Sequence, residues 1–102
     1  MYIVILVTAM NVEEANTISK KLVEDKLVAC VNILDQVKSI FRWEGKIDEA
    51  QEVLMIMKSR KALFEKIVKV VKSLHSYSVP EVIALPVIDG NKDYLDWIKN
   101  ST

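Results

Sequence analysis

The order of hydrophobic patterns along the chain predicts an α+β fold, an antiparallel β-α-β-β-α-β sheet with a short helix at the carboxyl end. Three observations carry this. The runs YIVILV near the amino terminus and VLMIM near the middle are continuously apolar, as strands buried on both faces read. Two segments, 12–26 and 60–76, repeat their apolar residues at helical spacing. Only two glycines and two prolines occur in 102 residues, so turns are few and elements long.

Each element has a local cause. Residues 2–8 are apolar and rich in β-branched side chains, which favours a strand. Asn11 followed three residues later by Glu14 resembles a capping box. From there Val12, Ala15, Ile18, Leu22 and Val23 form one stripe, with Lys20, Lys21, Glu24 and Asp25 left for water. Residues 28–43 read as a long second strand whose odd positions, among them Val31, Ile33, Val37, Phe41 and Trp43, form a single apolar face. Glu44, Gly45 and Lys46 turn the chain, and 47–58 returns as the third strand. Ser59 is placed to cap a second helix whose buried face holds Leu63, Phe64, Ile67, Val70, Val71 and Leu74. Residues 82–87 form a fourth strand, and NKDYLDWIKN a closing helix. Right-handed crossovers join such elements into a ferredoxin-like sheet with strands one and three central. Pro86 cannot donate a ladder hydrogen bond, which suits the fourth strand to an edge.

Composition narrows the function. The chain is one domain over residues 1–102, long enough for a single two-layer core. Fourteen basic residues balance fourteen acidic ones, a neutrality that argues against a nucleic-acid partner. The cluster Lys58, Arg60, Lys61, Lys66, Lys69 and Lys72 is interrupted by Glu65 and reads as a solvated helix face. Cys30 is the only cysteine, so no internal disulfide forms. The apolar start lacks a basic flank and falls short of the roughly 20 residues of a membrane span. A cytoplasmic protein, not membrane-bound, is expected. With helices on one sheet face, the other face and the second-strand edge need a partner, and self-association into a closed oligomer provides one. Trp43, near the hairpin tip, would anchor that interface or stack on a ligand.

Five segments, VACVNI, RWEGKI, EVLMIMKS, LHSYSVPEVIALPV and DYLDWI, occur in a register that resembles the CutA family of divalent-cation tolerance proteins. The resemblance implies a homotrimer with hairpins packed round a three-fold axis, similar to the trimer of PII signalling proteins. It also implies weak copper binding, with His75 at the position matching the family motif. One departure stands out: the family's His-Pro-Tyr is here His75, Ser76, Tyr77, followed by Ser78, so the second helix loses its proline stop.

Copper and zinc want three or four imidazole, thiolate or carboxylate ligands. His75 and Cys30 are the only soft donors besides methionine, and they fall on different elements. Each has an ordinary structural role open to it, a hydrogen-bonded histidine and a packed thiol. Trp43, Glu44, Glu52, Lys58, Tyr77 and Glu81 are the candidates to line a cleft between subunits, as a binding site or as clamps. No nucleophile is paired with a base and no glycine-rich phosphate loop appears, so an enzyme is not expected. Two functions remain: a trimeric metal-response protein, and a PII-like module binding a metabolite or partner in its clefts. A PII-type sensor needs a long mobile hairpin loop, whereas EGK is a tight turn.

Overall fold

The computed structural model describes residues 1–102 and contains four strands and three α-helices. Strands β1 (Tyr2–Ala9), β2 (Cys30–Trp43), β3 (Lys46–Arg60) and β4 (Val82–Pro86) form one sheet in the order β2-β3-β1-β4. Helices α1 (Val12–Glu24) and α2 (Phe64–Leu74) form the crossovers, and α3 (Lys92–Asn100) closes the chain. The two most apolar strands are therefore central, and the proline-bearing strand is an edge, as the sequence predicts. All neighbouring strands run antiparallel.

Alternation decides which side chains are buried. The odd residues Ile3, Ile5 and Val7 of β1 and Val53, Met55 and Met57 of β3 are almost wholly inaccessible. They form one core with Ile18 and Leu22 of α1 and Ile67 and Val71 of α2. Removing such a side chain costs about 2–5 kcal/mol, because rigid neighbours cannot close the cavity.

Four expectations change. Ser59 does not cap α2; its buried hydroxyl donates to the Leu27 carbonyl, and a 3-10 turn at Lys61–Leu63 precedes the helix. The capping box is displaced by one residue. Asn11 Oδ1 accepts from the Glu14 amide at 2.8 Å, but Glu14 Oε2 accepts from Met10 N rather than Asn11 N. The even-residue sheet face is not left bare, because α3 lies across one end of it. There Tyr94 meets Cys30, and Arg60 donates to the Thr102 hydroxyl and carbonyl.

The fourth change has the largest consequence. β2 does not keep one apolar face. Leu34 pairs with Leu54 and Val37 with Glu52, so one extra residue is inserted, with Gln36 at a left-handed φ of 59°. Such a bulge reverses the alternation beyond it. Val31 and Ile33 pair with odd residues of β3, whereas Val37, Ser39, Phe41 and Trp43 pair with even ones. The aromatic pair therefore moves to the face opposite α1 and α2. The hairpin closes in two residues, Glu44 (φ 50°) and Gly45 (φ 78°), and projects beyond the helices, stretching the molecule to 44 Å along its long axis.

Candidate functional site

Where the hairpin leaves the body of the sheet, a groove of about 740 Å³ opens on the even-residue face. The β3 arm supplies Asp48, Ala50 and Glu52, the bulged β2 supplies Ser39, Phe41 and Trp43, and the segment after α2 supplies Tyr77, Ser78, Val79 and Glu81. Tyr77 spans it, donating its phenol hydrogen to Glu52 Oε2 at 2.9 Å. Burial, then the hydrogen bond and charge of Glu52 and the charge of Glu14, push the phenol up to about 12.

His75 holds that tyrosine in place. Its side chain is fully enclosed. One ring nitrogen, Nε2, lies 2.7 Å from the Thr8 carbonyl oxygen, and the other, Nδ1, accepts the Tyr77 amide hydrogen at 3.0 Å. A carbonyl only accepts and an amide N–H only donates, so the ring is neutral with its proton on Nε2. Glu14 braces the same turn, with Oε1 accepting from Ser76 N and lying 3.8 Å from His75 Nδ1. Burial raises the Glu14 carboxyl, but hydrogen bonds from the Met10 amide and from the amide and side chain of Ser76 hold it below the usual carboxylate range.

The soft donors do not meet within one chain. Cys30 is level with Val4 across the sheet and His75 with Thr8, roughly 13 Å apart along the strand direction alone at ~3.3 Å per residue. The Cys30 thiol lies 3.7 Å from the Tyr94 hydroxyl, which raises the Tyr94 phenol. No group of three or more His, Cys, Asp or Glu residues is arranged to hold a metal ion. With both nitrogens of His75 engaged, the residues of a single chain do not fit a resident copper or zinc ion.

Of the other cleft candidates, Trp43, Glu52, Tyr77 and Glu81 share the groove. Lys58 lies away from it, its ammonium bonded to Asn32 Oδ1, and Glu44 is spent on the turn.

The match to known proteins decides the family. A family model described as CutA1 divalent ion tolerance protein matches residues 3–101. The chain belongs to the CutA1 family. A CutA protein of Thermus thermophilus is 48% identical over 99 residues, which are 97% of this chain and 96% of that one. The solved structure of that organism's protein has a TM-score of 0.99 at 47% identity, covering 100% of this chain and 99% of the other. The CutA of Archaeoglobus fulgidus, titled a periplasmic divalent cation tolerance protein, has a TM-score of 0.96 at 46% identity, covering 99% and 98%. A chloroplastic CutA of Arabidopsis thaliana is 45% identical over 98% of this chain, which spans 55% of that protein. CutA1 relatives are thus named from more than one compartment. No helix of this chain is long and apolar enough to cross a membrane.

The residues of this CutA1 site that sequence reasoning missed include Glu14, Thr8 and Asp48. Glu14 carries only a capping signal in the sequence, and its contact with Ser76 spans 62 residues. Thr8 contributes a backbone carbonyl, which no residue type encodes. Asp48 joins the groove only because the hairpin register sets it opposite Phe41.

Proposed function

We propose that this protein works in divalent-cation tolerance as a cytoplasmic homotrimer. The observation that carries the assembly is the even-residue sheet face beyond α3. There Leu6, Leu34, Leu54, Ile56, Ile83 and Leu85 form a continuous apolar band, with Ile83 51% and Leu85 49% exposed. A band of that extent, continued by exposed Trp43 on the hairpin, is covered in solution by further copies. Three copies is the number that the family resemblance implies. The hairpin's two-residue turn leaves no long sensor loop, which favours this reading over a PII-like one.

Copper contact, in this reading, is weak and needs donors from more than one chain. Cys30 is the accessible one, partly exposed and free of any disulfide. His75 joins only if its ring gives up Thr8 or Tyr77, so its first role is to position the Tyr77 turn. Sedimentation velocity is expected to give three times the 11.6 kDa chain mass. Calorimetry with copper and zinc should then show weak binding that Cys30→Ser reduces. A monomer would refute the assembly. Tight copper binding that His75→Ala alone abolishes would refute the positioning role.

A further inference from the structure

We propose that Asp89 is a site of spontaneous modification, where the chain isomerises to isoaspartate and so loosens the start of α3. Gly90 N donates to Asp89 Oδ1 at 2.8 Å, so the carboxyl is turned back on the amide that follows it. A carbon–oxygen bond of about 1.2 Å then puts the nitrogen no more than about 4 Å from the carboxyl carbon. The protonated carboxyl is the reactive form. The nitrogen bonds to its carbon, the amide hydrogen leaves with the carboxyl hydroxyl as water, and a cyclic imide closes. Water then opens the ring, and opening at the main-chain carbonyl routes the chain through the Asp89 methylene. The water lost in closing is returned in opening, so no oxidant, enzyme or cofactor takes part. The reaction is internal to one chain, at the end of the sheet remote from the hairpin, where Val87 N bonds the Tyr2 carbonyl.

Comparison within the chain singles out this aspartate. Asp35 and Asp48 make the same contact with the amides of Gln36 and Glu49, at 2.7 and 2.8 Å. Both lie inside long strands, at the bulge and opposite Phe41, and both are followed by a residue with a side chain. Asp89 belongs to no helix or strand, and the residue after it is one of only two glycines. Glycine sets no Cβ beside the closing ring and lets the backbone rotate into it. The product carries one extra backbone carbon, about 1.5 Å of chain, in a short span tied at both ends. Val87 N holds one end to Tyr2, and at the other Asn91 caps α3, its Oδ1 accepting from Asp93 N. Gly90 also packs closely on α3, since a Cβ there would lie 3.2 Å from Leu95 Cδ2. The far end of α3 is fixed by Arg60 on Thr102 and by buried Ile98. The first turn therefore takes up the added length, and Tyr94 moves away from the Cys30 thiol.

The test keeps the folded protein warm in mildly acidic buffer and follows the tryptic peptide Ser73–Lys92 by chromatography and electron-transfer mass spectrometry. A second form of equal mass, with isoaspartate fragment ions at residue 89, should accumulate before any change at Asp35 or Asp48. Gly90→Ala should slow it several-fold. Asp89→Asn should speed it, because ammonia leaves an amide here more readily than water leaves the acid. Circular dichroism checks that both variants fold, and the comparison of the three aspartates in wild-type protein stands without them. Cys30 should react with a disulfide reagent several-fold faster in the isomerised fraction than in fresh protein. No isoaspartate at residue 89, equal rates at the three aspartates, or a folded Gly90→Ala protein that isomerises as fast would each overturn the site. An isomerised fraction whose Cys30 reacts no faster would overturn the loosening of α3.

Discussion

Tyr77→Phe deletes one oxygen and tests whether the turn after α2 is a clamp. The hydroxyl donates to the ionised Glu52 at 2.9 Å from a partly buried position, and a charge-assisted bond of this kind contributes about 1.5–3 kcal/mol. The titration gives a second bound. The phenol is raised from 10.0 to about 12, and two pKa units correspond to at most about 3 kcal/mol. Water reaches part of the ring, and screening brings the expected value to roughly 1–2 kcal/mol. The protonated phenol is the form that the fold favours. Its contribution is therefore complete below pH 10 and disappears as pH rises through about 12, where a phenolate can no longer donate. Urea unfolding of wild-type and Tyr77→Phe proteins, at one protein concentration and at steps from pH 8 to pH 12, is the assay. Subtracting the two curves cancels lysines and the other tyrosines. The difference should be constant to about pH 10 and shrink above it. A difference that stays level to pH 12, or is absent at pH 8, would refute the clamp.

Further outcomes follow from the same geometry. Glu52→Gln keeps an acceptor for Tyr77 but loses its charge, so it should melt lower than wild type yet higher than Tyr77→Phe, as differential scanning calorimetry would show. Glu14 is held below its usual range, so its contribution is present above about pH 4.5 and lost as pH falls further. The stability gap between wild type and Glu14→Gln, measured by urea unfolding, should close over that window. Trp43→Ala should weaken trimer association by about 2 kcal/mol if the indole anchors the interface, measured by sedimentation equilibrium. Gln36→Gly should cost little or stabilise, since glycine accepts the left-handed φ, whereas Gln36→Val should lower the melting temperature.

The order of elements, the two central strands, the proline-bearing edge and most residues of the shared core were legible in the sequence, although Val23 and Leu74, placed on the buried helix faces, are exposed at the helix ends. These depend on periodicity and burial, and a side chain's polarity records both within a few residues. CutA1 membership was legible for a similar reason, in five short segments held in register. The groove was only half legible. Trp43, Glu52, Tyr77 and Glu81 could be named, but not the side of the sheet they occupy. That depended on one inserted residue at Gln36, which reverses Phe41 and Trp43 with no change in the polarity pattern around it. His75 shows the same limit: its residue type permits metal binding, whereas the Thr8 carbonyl and the Tyr77 amide commit both ring nitrogens to the fold. Strand register and backbone partners are set by contacts between residues distant in the chain, so only the tertiary structure could decide them.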